Sequence, residues 1–230
     1  MIGEKVILVT GASQGIGETI VRSFSALGGK MVLAARQAEK LTAVAAELPG
    51  ENLVCPTDVR DENEVRRLMK RTIARFGRID VLINNAGYVD PAGLLDMSLE
   101  QWRLMIDTNL TGTFLCTREA VKYMKKRGGR IINIASTAGL SARPGWSGYA
   151  AAKAGVINFS QTMAEELRVY GILVFCICPG RTATNLRRRL APNEDPTSIM
   201  QPRAVVETIA YCLSPEAGVL EGQVLQVRER

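Results

Sequence analysis

Short runs of aliphatic and β-branched residues alternate along this chain with longer segments whose apolar positions recur at helical spacing. The first run, Lys5-Val6-Ile7-Leu8-Val9-Thr10, leads at once into Gly11-Ala12-Ser13-Gln14-Gly15-Ile16-Gly17 and a helical pattern through Ile20, Phe24 and Leu27. Six further strands are predicted over residues 31–35, 52–55, 79–83, 130–135, 172–178 and 223–227. Asp61 opens an amphipathic helix carrying Val65, Leu68, Ile73 and Phe76, and Gly77 closes it. After the stretch 102–109, a long helix is predicted through Phe114, Val121 and Met124, ending at Gly128-Gly129; another carries Val156, Phe159, Met163 and Leu167. Strands alternating with helices of this length are βαβ units, so the pattern predicts an α/β fold with a parallel sheet and a ligand crevice at the strands' carboxyl ends. Residues 185–202 lose periodicity and gather arginine, proline and asparagine, which fits a lid over a pocket and an ordinary surface loop about equally.

Polar residues gather at those strand ends. Strand, glycine turn and helix together form the context in which backbone N–H groups approach a pyrophosphate at the positive end of a new helix. The spacing here is Gly-x-x-x-Gly-x-Gly rather than Gly-x-Gly-x-x-Gly, so a plain strand-to-helix turn is the competing reading. The second strand ends at Ala35-Arg36, where an NAD-selective site would place an Asp or Glu for the ribose hydroxyls. Ala35 cannot accept such bonds, and Arg36 offers a guanidinium to a 2′-phosphate unless it merely caps a surface helix.

The fifth strand delivers Ser136, and Tyr149 and Lys153 follow four residues apart near a helix start, on one face. A phenol with pKa ~10 needs help to exchange protons at neutral pH. A unit positive charge about 4 Å away, at an effective dielectric of ~20, favours the phenolate by roughly 4 kcal/mol, or two to three pKa units. Ser136 would hold a substrate oxygen beside the phenol. Taken alone, Tyr-x-x-x-Lys also fits a half-buried tyrosine beside a solvated lysine.

Composition narrows the chemistry. The chain has 230 residues, 47% of them hydrophobic, with no linker-like break, which suits one domain spanning 1–230. No apolar run approaches the ~20 residues of a membrane span, and Met-Ile-Gly-Glu-Lys leads straight into a strand; a soluble cytoplasmic protein is expected. There is no histidine, and the five cysteines are scattered without a Cys-x-x-Cys pair, so no metal site, disulfide framework or histidine triad is expected. Cys176 and Cys178, two apart on a strand, are expected to pack as small hydrophobes. The net charge of +6 is spread along the chain without a continuous basic stripe, which argues against nucleic acid as a partner.

Thr10-Gly11-x-x-x-Gly15-x-Gly17, Asn84-Asn85-Ala86-Gly87, Asn109, Ser136, Tyr149-x-x-x-Lys153 and Pro179-Gly180 stand in the order and spacing of the short-chain dehydrogenase/reductase family, which the sequence resembles over nearly its whole length. The resemblance implies a Rossmann-like, doubly wound single domain with a seven-stranded parallel sheet, helices on both faces and a nicotinamide cofactor. It implies that Tyr149 exchanges the proton, Ser136 holds the carbonyl or hydroxyl oxygen, Lys153 lowers the phenol pKa and bonds the nicotinamide ribose, and Asn109 places a relay water. Cofactor contacts are implied for Gly11, Ser13, Gln14, Gly15, Ile16 and Gly17 at the phosphates and for Arg36 at the 2′ position. Asp58 and Val59 would flank the adenine, Asn85, Ala86 and Gly87 the adjoining ribose, and Pro179, Gly180, Thr182 and Thr184 the carboxamide. Gln14 stands where many NADP-using relatives carry a second basic residue, and the tail Arg228-Glu229-Arg230 replaces an Asp-Gly-Gly element common in the family.

The expected activity is hydride transfer between NADP(H), with NAD(H) less favoured, and a carbonyl or secondary alcohol, in the manner of a 3-oxoacyl (carrier protein) reductase. The alternatives are an NAD-dependent dehydrogenase of a sugar or steroid alcohol and a non-catalytic NADP(H) sensor. Tyr88, Leu94, Leu95, Leu140 and Trp146, with Arg143 and Arg187-Arg188-Arg189 nearby, are the expected pocket wall, favouring hydrophobic ketones or acyl thioesters over free sugars. Apolar positions on the helices over 110–127 and 150–169 spread beyond one stripe, predicting a homo-oligomer, tetramer or dimer.

Overall fold

A computed structural model describes residues 2–228; Glu229 and Arg230, which complete the atypical tail, lie outside the described residues. Seven strands form one parallel sheet in the order β3-β2-β1-β4-β5-β6-β7. They are β1 (Val6–Thr10), β2 (Lys30–Ala35), β3 (Asn52–Pro56), β4 (Val81–Asn84), β5 (Gly129–Ile134), β6 (Ile172–Pro179) and β7 (Val224–Val227). All seven expected strands are present, with ends shifted by one or two residues. The winding reverses between β1 and β4, which opens the crevice where a ligand of a doubly wound sheet binds.

Every position of β1 is buried, because a parallel strand is covered on both faces. Ile7 and Val9 face α1 (Gly15–Ala26), α2 (Ala38–Ala46) and α8 (Pro202–Cys212), through Ile20, Phe24, Leu41, Val205 and Ile209. Val6 and Leu8 face the other layer, α3 (Glu62–Phe76), α5 (Gly112–Met124) and α6 (Ser147–Leu167), through Val65, Leu68, Leu115 and Ala164. The period of two along the strand thus divides the core between two helix layers. At the ends of α3 the expected signals act: the Asp61 carboxylate accepts from Asn63 and Glu64 N–H at 2.7 and 3.0 Å, and Gly77 closes the helix at φ 74°.

The middle of the chain differs from the expectation. The long helix starts before Asn109, as α4 (Leu99–Ile106), and continues through one π turn (Asp107–Thr111) into α5. Its start signal is a capping box in which Ser98 Oγ accepts from Gln101 N–H and Gln101 Oε1 accepts from Ser98 N–H. The stretch after Thr184 is also more ordered than its pattern implied: α7 (Asn185–Leu190) is a six-residue helix, too short to show a period, followed by a 3-10 turn at Pro196–Ser198.

The five cysteines are buried, and Cys176 and Cys178 pack with Ala135, Val156 and Ile157. Burial pushes the Cys116 thiol up to about 12 and Cys212 up to about 11, so these cysteines are neutral apolar groups at physiological pH. Among the described residues no helix is long and apolar enough to cross a membrane, and no cluster of carboxylates and thiols is placed to hold a metal ion.

Candidate active site

One cleft of about 460 Å³ lies over the carboxyl ends of the strands. Its floor is made by close backbone approach. A β-carbon on Gly11 would lie 2.9 Å from Ala86 Cα, and one on Gly17 would lie 2.2 Å from the Gly11 carbonyl oxygen, so neither position admits a side chain. Gly11, Ser13, Gln14, Gly15 and Ile16 line the cleft, whereas Gly17 is buried beneath it as a packing residue. Gln14 is the N-cap of α1 and its side chain does not cap the helix, so the first-turn N–H groups keep their positive end for a ligand. Across the crevice, Thr10 Oγ1 accepts from Asn85 and Ala86 N–H at 3.0 Å, and Asn85 Nδ2 donates to Thr10 O at 2.9 Å. These bonds fix Asn85, Ala86 and Gly87 as the central wall.

At the end of β2, Arg36 is exposed and shares the cleft rim with Lys40, four residues further on in the first turn of α2. Asp58 and Val59 stand opposite. Arg60, which lines the same end, holds the Asp58 carboxylate at 2.6 Å and keeps its pKa below the ordinary range. Lys40 and Arg60 were missed in the sequence, although their spacing of four from Arg36 and two from Asp58 was readable as a charge cluster.

The other end collects Ser136, Tyr149 and Lys153. Ser136 follows β5, and its Oγ accepts from Ala138 N–H at 3.1 Å, which pins the hydroxyl at the start of the turn Thr137–Gly139. That turn sits directly on α6: a β-carbon on Gly139 would lie 2.7 Å from Ala154 N. Tyr149 rises from the first turn of α6 with its ring edge-on to Trp146 at 5.7 Å. Burial pushes the Tyr149 phenol above its ordinary pKa, while the Ser136 hydroxyl and the Arg143 charge pull it down.

Lys153 departs from the sequence expectation. Its Nζ is 5.7 Å from the centre of the Tyr149 ring and donates to the Ile134 carbonyl at 2.8 Å, so the ammonium is turned to the backbone rather than paired with the phenol. Burial lowers the Lys153 ammonium to about 8.

Asn109 is fully buried in the π turn and lies behind the cleft wall. Its Nδ2 donates to Tyr88 O at 2.7 Å and Met105 O at 2.8 Å, and its Oδ1 accepts from Tyr88 N–H at 3.3 Å. A β-carbon on Gly87 would meet Asn109 Oδ1 at 3.1 Å and Lys153 Nζ at 3.9 Å, so both polar groups stand immediately behind that glycine. A π turn is a frequent companion of functional sites because it re-aims one residue of a helix.

Pro179, Gly180, Thr182 and Thr184 complete the lining. The Thr182 hydroxyl is turned inward and donates to Gly180 O at 3.0 Å, while Thr184 caps α7 and stands against Gly15, whose hypothetical β-carbon would be 3.3 Å away. The expected apolar wall is only partly present. Trp146, Arg143, Arg187 and Arg189 line the cleft, but Tyr88, Leu140 and Arg188 do not, and Leu94 and Leu95 are 84% and 98% exposed. Val89, Ala138, Leu186 and Leu190 take their place. Above them Glu194 binds Arg187 at 2.5 Å and Arg181 at 3.0 Å, tying the segment after α7 to the rim.

Residues 5–195 match the model of the short chain dehydrogenase family. This chain belongs to that family. Among short chain dehydrogenases it is 42% identical to a 3-oxoacyl-(acyl-carrier-protein) reductase of Synechocystis sp., over 97% of this chain and 95% of that protein. Its fold matches the crystal structure of a 3-ketoacyl-(acyl-carrier-protein) reductase from Brucella melitensis complexed with NADH, at a TM-score of 0.91 and 28% identity, covering 99% of this chain and 98% of the other. An actinorhodin polyketide ketoreductase with NADPH gives a TM-score of 0.90 at 32% identity, covering 99% and 97%. The chain is therefore an oxidoreductase of the short chain dehydrogenase type, acting between an alcohol and a carbonyl.

Proposed function

We propose that this short chain dehydrogenase is an NADP(H)-preferring reductase of 3-oxoacyl compounds and related ketones. The observation that carries the reading is the convergence of Ser136, Tyr149 and Lys153 at one end of a cleft whose other end carries Arg36 and Lys40. The relatives described above are named as 3-oxoacyl and polyketide ketoreductases, and their solved structures contain NADH and NADPH.

The residues present fit a dinucleotide. Gly11 and Gly17 leave no room for side chains under the turn, the first turn of α1 is uncapped by Gln14, and an anion there would meet backbone N–H groups. Gly11, Ser13, Gln14, Gly15 and Ile16 would hold the pyrophosphate, and Arg36 with Lys40 the 2′-phosphate. Asp58, Val59, Asn85, Ala86 and Gly87 would hold the adenosine half, and Lys153, Pro179, Gly180, Thr182 and Thr184 the nicotinamide half. When bound, the nicotinamide supplies or accepts hydride at the substrate carbon.

The remaining chemistry belongs to the chain. Reduction adds one proton at the carbonyl oxygen, and Tyr149, neutral because burial raises its pKa, is the donor. The Ser136 hydroxyl orients that oxygen and stabilises the charge that grows on it. Lys153 supplies a cation whose one hydrogen-bond partner among the described residues is the Ile134 carbonyl, which leaves other N–H donors for a ribose. Asn109 and Lys153, gathered behind Gly87, provide the polar path by which Tyr149 is reprotonated. Glu194 and α7 form a lid over the substrate end, and the exposed faces of α5 and α6 join copies of the chain.

Initial rates of NADPH and NADH oxidation across a panel of 3-oxo esters, cyclic ketones and sugar-derived ketones test this reading. It expects turnover of 3-oxo compounds, faster with NADPH. Tight NADPH binding with no oxidation by any ketone would overturn it in favour of a binding module.

A further inference from the structure

Six arginines line the cleft: Arg36, Arg60, Arg143, Arg181, Arg187 and Arg189. Arg60 is committed to Asp58, and Arg181 and Arg187 to Glu194, while Arg36 and Arg189 are exposed. Arg143 differs from all five. It is half-buried on the segment between β5 and α6 and forms no ion pair among the described residues. Its Nε–H is buried without an acceptor among the described residues, and its Nη2 reaches only Thr137 Oγ1 there, at 3.5 Å, the outer limit of a hydrogen bond. A guanidinium has five donors, and native proteins rarely bury one unpaired without a use for it.

The location states the use. Thr137 follows Ser136, and Arg143 walls the same cleft as Ser136 and Tyr149. The guanidinium is close enough to Tyr149 for its charge to draw on the phenol. Because Arg143 reaches Thr137, the residue next to Ser136, an anion seated on it lies at the substrate end of the cleft. Nε is sealed from the cleft, so the donors a ligand can reach are on the two Nη groups, whose end-on fork fits a planar carboxylate. A dianionic phosphate would call for a second half-buried, unpaired cation beside it, and the other cleft arginines do not supply one: Arg181 and Arg187 are neutralised by Glu194, Arg60 by Asp58, and Arg36 and Arg189 are exposed. A neutral ester or thioester lacks the charge that an unpaired guanidinium rewards.

We infer that Arg143 is a specificity-determining residue that binds a free carboxylate beside the substrate's keto group, so that the enzyme takes 3-oxo acids in preference to their neutral esters. The inference rests on the reductase reading above and names the substrate class of that same site.

The test compares kcat/KM for a 3-oxo acid and its ethyl ester, with NADPH, in the wild type, Arg143→Gln and Arg143→Lys. Calorimetric titration of the matching 3-hydroxy acid and its ester gives a readout independent of turnover. The wild type is expected to favour the acid by about ten- to a hundredfold, the ratio that one charge-assisted pair supplies. Arg143→Gln should bring acid and ester within about threefold of each other, and Arg143→Lys, which keeps the charge but not the fork, should fall between. A wild-type preference for the ester, or a ratio unmoved by Arg143→Gln, overturns the inference. If Arg143→Gln does not fold by thermal melting, the Arg143→Lys ratio decides. If neither acid nor ester is reduced, the reductase reading fails, and the calorimetric difference between acid and ester still decides the role of Arg143.

Discussion

Lys153 donates from Nζ to the main-chain carbonyl of Ile134 at 2.8 Å, an ammonium only 4% exposed and without a carboxylate partner among the described residues. Burial lowers its pKa from 10.5 to about 8, a differential cost of about 3 kcal/mol to the folded state while the charge is present. Below pH 8 folded and unfolded chains both carry the proton, and the cost is borne in full. From about 8 to 10.5 the unfolded chain keeps the proton and the folded chain sheds it, so stability contributed by this site rises with pH. Lys153→Met should therefore stabilise the protein at pH 7 by about 1–2 kcal/mol, after allowing for the Ile134 carbonyl it leaves unpaired, while abolishing activity. At roughly 2–4 °C per kcal/mol the gain is visible in a thermal melt, and it should vanish by pH 10.5. A variant less stable than wild type at pH 7 with no such pH trend would show that the buried ammonium carries no cost.

Tyr149 should be the proton donor and little else. Tyr149→Phe keeps the ring that packs edge-on to Trp146 and removes only the hydroxyl, so the fold and NADPH binding should persist while kcat falls by roughly 10²–10⁴. Fluorescence titration with NADPH beside steady-state kinetics separates the two. Retention of a tenth of wild-type turnover would remove Tyr149 from that role.

Much of this was legible in the sequence because it depends on local pattern. Strand runs, the caps of α3 at Asp61 and Gly77, and the residues delivered at strand ends such as Ser136 were all readable. What was not readable depends on tertiary direction. Leu94 and Leu95 look like pocket lining by composition but lie 84% and 98% exposed, while Leu186 and Leu190 reach the cleft from a six-residue helix with no detectable period. The four-residue spacing placed Lys153 beside Tyr149 but could not show that its Nζ turns to the Ile134 carbonyl. The Ser98-x-x-Gln101 capping box was present in the sequence, and reading it would have started the middle helix where the structure starts it.

Cofactor choice should rest on Arg36. It is exposed on the cleft rim beside Lys40, and no carboxylate occupies Ala35 to accept from ribose hydroxyls. With one charge-assisted contact worth roughly 1.5–3 kcal/mol, NADPH should bind about ten- to a hundredfold more tightly than NADH at low salt. Arg36→Ser should narrow that gap, and Ala35→Asp combined with Arg36→Ser should invert it. Equal dissociation constants for the two cofactors in the wild type would mean that neither Arg36 nor Lys40 reads the phosphate.

The last expectation concerns assembly. Phe114 on α5 is 41% exposed and lies edge-on to Phe159 of α6 at 6.4 Å, and Trp102 on α4 and Tyr123 on α5 are each 37% exposed. Large aromatic rings on adjoining helices, outside either core layer, form the kind of apolar face that a second copy of the chain buries. The Arg118 guanidinium covers Phe114 at 5.1 Å from the ring centre, a contact that a partner can displace or share. A particle of two or four chains is expected, against 25.0 kDa for one. Phe114→Glu should shift that particle toward the single chain at micromolar concentration, because a buried unpaired carboxylate on each side of the contact costs several kcal/mol. Sedimentation velocity reads both results directly, and a wild-type protein sedimenting as one chain would show that this aromatic face has another partner or none.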